Sequence, residues 1–169
     1  MHDTSNPIHV CILTTGHPVD DVRLRRKLAE SLVRDGVQVT WVGPDYKYVE
    51  GPKVVAYAVP FAGRGYSAPI EGFLGLESDL RTVRCMVVTY QAETPGLGGQ
   101  VGSQPFLDCF RGKSIDGLRL VRPGKAQADN EVDSITGATL TSARFQAILD
   151  KTVSAVQSLR STPEQPDAR

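Results

Sequence analysis

The 169-residue sequence has no surplus of either charge: nineteen Lys and Arg balance nineteen Asp and Glu. A protein that coats nucleic acid needs a basic surplus, so nucleic acid is not an expected partner. No apolar run reaches the ~18 residues of a membrane-spanning helix, so no direct membrane span is expected. The stretch Met1 to Pro7 is polar and carries Asp3, unlike a secretory signal. A soluble chain is therefore expected, the cytoplasm being one compartment open to it. Cysteine is scarce: Cys11, Cys85 and Cys109 are widely spaced and form no CxxC pair. That excludes a disulfide framework and a zinc knuckle, and the ordinary reading is buried free thiols in a reducing compartment. All three histidines fall before position 18. No acid–base pair or nucleophile–base set is evident, and no catalytic residue is assigned. What remains is globular composition, 40% hydrophobic and 22% charged, enough for one domain or two small ones.

The first segment reads as strand, helix, strand. Ile8 to Thr15 is short, apolar and β-branched, and Val37 to Val42 is similar. Between them, Gly16-His17-Pro18 turns the chain, Asp20 or Asp21 caps a helix, and Leu24, Leu28 and Leu32 give it an apolar stripe. This is a βαβ pattern. His17, Asp20 and Asp21 could in principle hold a metal, but a turn and a cap explain all three, and no metal site is assigned. From about Tyr46 the texture changes. Lys53 to Phe61 reads as a strand, with Tyr46 to Val49 pairing across Glu50-Gly51-Pro52. The stretch from Gly63 to Gly72 reads as a glycine-rich loop, Leu74 to Leu80 is ambiguous, and Thr82 to Gln91 is a good strand. Glu93 to Gly99 excludes regular structure, Phe106 to Phe110 is a short helical turn, and Leu118 to Val121 is a strand. A last helix starts near Thr141 or Ser142, with Phe145, Ile148, Leu149, Val153, Val156 and Leu159 on one face.

The stretch Asn130 to Ser142 is the most informative. Gly137 permits a tight turn, hydroxyl side chains cluster around it, and a helix follows. Amides at a helix start point at whatever occupies the turn, and the helix dipole favours negative charge there. Local pattern leaves two readings, a capping region with no ligand and a phosphate site, and favours the first. Elsewhere, Gly63 and Gly65 could let backbone approach a flat ligand or simply turn the chain. Glu93-Thr94-Pro95-Gly96 sets a rigid turn at a strand end. Lys113 and Arg64 could meet a phosphate or a pyrimidine, although surface cations commonly meet neither.

Asp133 to Thr139, DSITGAT, resembles the flavinylation motif of the FMN-binding domain family: Asp, two variable positions, Ser or Thr, Gly, Ala, Thr. Residues from about Val54 to Leu149 are similar to that family as found in the C-subunit of the Na+-translocating NADH:quinone reductase, and more weakly to the G-subunit of the Rnf complex. The elements AVPFAGRGYSAPIEGFLGLESDL, AETPGLGGQV, FRGK and DSITGATLTS occur in the family order. The resemblance implies FMN held by a phosphoester on Thr139. A separate flavin transferase would make the bond from FAD with Mg2+, and Asp133 would be part of what it recognises. Thr136, Gly137 and Ala138 complete the motif, and Thr141, just beyond it, joins the expected cofactor-binding residues. The loop of Glu93, Thr94, Pro95, Gly96 and Leu97 would lie against the isoalloxazine ring, Leu97 as apolar cover. Gly65 and Tyr66 would complete the site, with Tyr66 placed to stack on the ring. Glu93 could instead fix its loop by accepting that loop's own amides.

The implied role is one-electron transfer beside other subunits of a membrane redox complex. The expected fold class is α/β: a βαβ unit in residues 1–45, then in 46–160 an α+β FMN-binding domain with a twisted antiparallel sheet and a C-terminal helix. Residues 161–169 read as a disordered tail. The family's C-subunit begins with a membrane helix, and here the βαβ unit stands in that place. Residues 8–44 instead resemble the start of GT-B glycosyltransferases, a strand running into HPVDDVR and a helix. The rival reading is a glycosyltransferase-derived fragment or chimera without catalytic activity. It separates from the first by predicting no bound flavin.

Overall fold

The computed structural model describes residues 9–13, 38–42 and 56–161. The helix expected over Asp20 to Asp35, the turn at Gly16, the hairpin at Tyr46 to Val49 and the tail beyond Ser161 lie outside the described residues. Five strands form one sheet in the order β2-β1-β3-β4-β5. They are β1 (His9–Leu13), β2 (Gln38–Val42), β3 (Ala56–Arg64), β4 (Pro69–Glu77) and β5 (Val83–Tyr90). The pairs β3–β4 and β4–β5 are antiparallel, as the flavin-domain resemblance implies. Strand β1 pairs parallel with both β2 and β3, so the sheet is mixed.

The stretch read as a glycine-rich loop is instead the hairpin of β3 and β4. Its turn closes through the Gly65 amide donating to the Ala68 carbonyl at 2.8 Å. The glycines serve close packing. A Cβ on Gly63 would sit 2.5 Å from Ile148 Cγ1, on Gly75 2.6 Å from the Cys85 sulfur, and on Gly72 it would overlap the Val87 carbonyl. Loop-like composition here marks a strand whose neighbours approach closely. Register shifts flank Gly72 and Gly75, the local irregularity that such contacts accompany.

After β5 come a 3-10 turn (Gly98–Gly102), helix α1 (Gln104–Asp108), strands β6 (Arg119–Val121) and β7 (Glu131–Asp133), and helix α2 (Thr139–Ser161). Helix α2 begins two residues earlier than its apolar stripe suggests. Gly137, at φ +75°, sits third in the turn Ile135 to Ala138, whose Ala138 amide donates to the Ile135 carbonyl at 3.1 Å. That is the pattern of a type II turn, which needs glycine at its third position. Phe145, Ile148, Leu149, Val153 and Val156 of α2 are buried as the spacing predicts. They pack on Val59, Phe61, Ile70, Leu74 and Leu76 of the sheet. Phe145 is fully buried and meets Phe61 (centroids 5.8 Å) and Phe110 (6.2 Å) edge-on, the arrangement that ring quadrupoles favour. The cysteines correct the expectation of buried thiols: Cys85 and Cys109 are exposed. Their positions follow from local geometry, since Cys85 lies over Gly75 and the Cys109 thiol donates to the Pro105 carbonyl.

Strands β6 and β7 are parallel neighbours joined through residues 122–130, fewer than the dozen or so that such a connection usually needs. Two carboxylates gather this short loop. Asp133 Oδ1 accepts the amides of Lys125 and Ala126, both at 2.9 Å. Glu131 Oε2 accepts those of Gln127 (2.9 Å) and Ala128 (3.1 Å). Four consecutive amides are thus satisfied without a sheet ladder.

Candidate functional site

Two turns converge at the start of α2. Thr94-Pro95-Gly96-Leu97 has proline second, glycine third at φ +74°, and the Leu97 amide donating to the Thr94 carbonyl at 3.1 Å. It is the same type II pattern as Ile135 to Ala138. The turns touch: a Cβ on Gly137 would lie 3.4 Å from Leu97 Cδ2. Thr94, Pro95, Gly96, Leu97, Thr136, Gly137 and Thr139 line this surface, and all seven are exposed to solvent. Leu97 (46% exposed), Leu140 (58%) and Tyr66 (59%) are large apolar side chains left open to solvent. Leu140 was not singled out from sequence. Its signal is its phase: it is apolar but lies off the buried stripe of α2.

Thr139 is the first residue of α2. The amides of Thr139, Leu140 and Thr141 have no acceptor among the described residues, whereas the Ser142 amide already bonds the Ala138 carbonyl. Unpaired first-turn amides carry the positive end of the helix dipole. Ser142 is buried, and its hydroxyl accepts the Ile135 amide at 3.1 Å, tying the turn to the helix.

Beneath this surface sits Glu93, 5% exposed. Its Oε1 accepts the amides of Ser67 (2.8 Å) and Ala68 (3.1 Å). Its Oε2 accepts the hydroxyl of Thr141 at 2.6 Å, and Thr141 is itself buried. Glu93 therefore fixes a loop, though the amides it accepts belong to the β3–β4 turn rather than to its own loop. Burial pushes the Glu93 carboxyl up, but the hydrogen bonds from the Thr141 hydroxyl and the amides of Ala68, Ser67 and Tyr66 outweigh it. The net result lies below the usual glutamate value. Gly65 is explained by this packing, because a Cβ there would lie 2.5 Å from Glu93 Oε1. A Cβ on Gly98 would overlap the Thr141 hydroxyl.

Asp133 lies at the end of β7 with its carboxylate on the loop amides. Its pKa is lowered first by the Ala126 amide, against desolvation, with the amides of Lys125 and Gly124 and the Lys113 charge adding. Lys113 donates to the Ala128 carbonyl at 3.2 Å, and Arg64 is exposed. Glu131 was missed from sequence: Arg119 grips its Oε1, and its carboxyl is lowered to about 2, first by the Gln127 amide and then by Arg119 and the Ala128 amide.

The FMN-binding domain model matches residues 65–154, more than half of the chain. The chain belongs to the FMN-binding domain family. The C-subunit of the Na+-translocating NADH-quinone reductase of Pasteurella multocida is 30% identical over 145 residues, covering 81% of this chain and 50% of that protein. The G-subunit of the proton-translocating ferredoxin:NAD+ oxidoreductase complex of Clostridium ljungdahlii is 34% identical over 97 residues, covering 57% and 51%. This FMN-binding chain thus spans about half the length of these curated relatives. The crystal structure of Shewanella oneidensis NqrC superposes with a TM-score of 0.59 at 27% identity, covering 68% of this chain and 59% of that one. The C-subunit of the Na+-translocating NADH-quinone reductase of Parabacteroides distasonis gives 0.59 at 29% identity, covering 64% and 58%. The mixed fold, antiparallel sheet with C-terminal helix, is the fold of these neighbours. None of these findings supports a glycosyltransferase origin for residues 8–44. No helix among the described residues is long and apolar enough to cross a membrane, and no His, Cys, Asp and Glu group there could hold a metal.

Proposed function

We propose that this chain carries FMN covalently on Thr139 and relays electrons one at a time between partner subunits of a membrane redox complex. The observation that carries the reading is the position of Thr139: first in α2, beside amides with no acceptor among the described residues, and flanked by the exposed side chain of Leu140 and the touching Leu97 turn. A phosphate ester on its hydroxyl would meet those amides and the helix dipole. An apolar ring system would find Leu97, Leu140 and Tyr66 open to receive it, with the Thr94 hydroxyl and loop amides for its polar edge. The residues present therefore fit the group. Bound FMN supplies reversible one-electron chemistry, and the protein supplies retention, orientation and local charge. A phosphoester removes loss by dissociation, which suits a carrier that cycles many times.

Attachment asks for a transferase with FAD and Mg2+. The Thr139 oxygen would bond to the flavin-side phosphorus, the pyrophosphate bond to that phosphorus would break, AMP would leave, and the hydroxyl proton would go to solvent or base. Asp133 would serve this step by holding the loop beside the motif and by contributing to what the transferase reads. Co-expression with a flavin transferase, followed by mass measurement on denatured protein, tests the reading. Wild type should gain the mass of one FMN less one water, as a phosphoester requires, and Thr139→Ala none. A folded wild-type chain that gains no mass would sink it, and would favour a colourless binding module. The relatives belong to complexes that translocate sodium or protons; for this chain, a place among such subunits is part of the proposal.

A further inference from the structure

The site joins three separate segments through one buried carboxylate. The β3–β4 turn is held by the Ser67 and Ala68 amides on Glu93 Oε1, and the loop 93–98 carries Glu93 itself. The start of α2 is held by the Thr141 hydroxyl on Oε2, 48 positions away in sequence. Glycine stands at 65 and 98, where a Cβ would collide with this arrangement. Glu93 and Thr141 are both buried, and Thr139 lies two residues before Thr141 at the head of the helix.

We infer that Glu93 and Thr141 are positioning residues: their hydrogen bond locks the Thr94–Leu97 turn to the helix that presents Thr139, and so sets the geometry in which the threonine hydroxyl is esterified and the ring is held. The inference rests on the covalent-FMN reading. It assigns Thr141 a role distinct from contact with the cofactor. Removing the hydroxyl leaves Glu93 Oε2 buried without its donor, a state that costs the carboxylate its fixed orientation. The loop then loses its tie to α2 while the apolar core beneath stays intact. Small displacements between a nucleophile and its reacting partner cost rate steeply.

The test uses the full chain with Thr141→Val, which keeps the volume and removes the donor, and Thr141→Ser, which restores the donor. FMN attachment by a flavin transferase with FAD and Mg2+ is followed by mass over time, at a temperature where circular dichroism shows each variant folded. The transferase kcat on Thr141→Val should fall, by up to about a hundredfold, with Thr141→Ser returning close to wild type. The midpoint potential of the attached flavin should shift in Thr141→Val alone. A purely structural role would lower the melting temperature and leave rate and potential untouched, and that result overturns the inference. If Thr141→Val does not fold, Thr141→Ala is measured in its place. If wild type itself gains no FMN, the covalent reading has failed, and the clamp is read on the unloaded chain by hydrogen exchange. Faster exchange of the Ser67 and Ala68 amides in the variant then supports the lock, and unchanged exchange overturns it.

Discussion

At the scale of single residues, Glu131 and Asp133 are held in their charged form first by backbone amides, and Asp116 first by the Arg160 guanidinium. Glu131 is the clearest case, lowered to about 2 from an ordinary 4.5. A depressed folded-state pKa contributes stability that is present above the unfolded value and is lost as pH falls through the folded one. For Glu131 the window runs from about 4.5 down to about 2. Glu93, Asp116 and Asp133 shift in the same direction. The melting temperature should therefore fall steadily on acidification across that window. Glu131→Gln should melt lower at neutral pH and show a shallower acid dependence, because it can no longer collect two amides and Arg119 as an anion. Parallel acid profiles for variant and wild type would contradict this. The turn glycines offer a second test. Gly96 and Gly137 both sit near φ +75°, where a Cβ is strained, and a Cβ on Gly96 would meet nothing within 4 Å. Gly96→Ala should therefore report backbone strain alone, about 1–2 kcal/mol in denaturant unfolding. Gly137→Ala should cost about the same and in addition slow FMN attachment, since it reshapes the turn that precedes Thr139. Unfolding midpoints equal to wild type would show that neither turn needs its glycine.

At the scale of elements, α2 was legible because its stripe is strict and the buried side chains that stripe packs on are aromatic or aliphatic. Phe145 occupies its centre, in edge contact with Phe61 and Phe110 and tilted against Phe106. Phe145→Ala should cost about 3–5 kcal/mol, measured as a lower denaturant midpoint with an unchanged slope. A loss below about 1 kcal/mol would mean that the surrounding rings collapse into the gap. Strand β4 was not legible, because Gly72 and Gly75 look like loop residues until the Val87 carbonyl and Cys85 are placed against them. Strand β7 was hidden for another reason: three residues carry no period, and its stability comes from Glu131 and Asp133 gathering a loop. The motif around Thr139 could be read locally, since a turn glycine and a helix start are short-range features. The Glu93–Thr141 bond could not, because it joins residues 48 positions apart and each has a plausible local role as a cap or a ligand.

At the scale of the whole molecule, the open matter is how the first two strands relate to the rest. We propose residues 46–160 as the FMN-binding unit, with 1–45 an addition and 161–169 a tail. The observations favour this division in one respect and strain it in another. The family match spans 65–154, and the candidate site, from Gly65 to Ser142, lies within it. Yet β1 joins the sheet through Val10, Cys11 and Ile12 against Ala56, Tyr57 and Ala58, so removing it uncovers the edge of β3. That edge is partly protected, because Pro60 has no amide to offer an incoming strand. A chain lacking residues 2–45 should accordingly stay monomeric by light scattering, melt cooperatively at a lower temperature, and still gain FMN on Thr139 when a flavin transferase is supplied. Limited proteolysis of the full chain should cut preferentially near Gly43 to Tyr46. Loss of cooperative melting in the shortened chain would show that β1 and β2 belong to the same folding unit as the flavin site. Aggregation with cooperative melting retained would locate the fault at the bare β3 edge, where a charged substitution at Ala58 should relieve it.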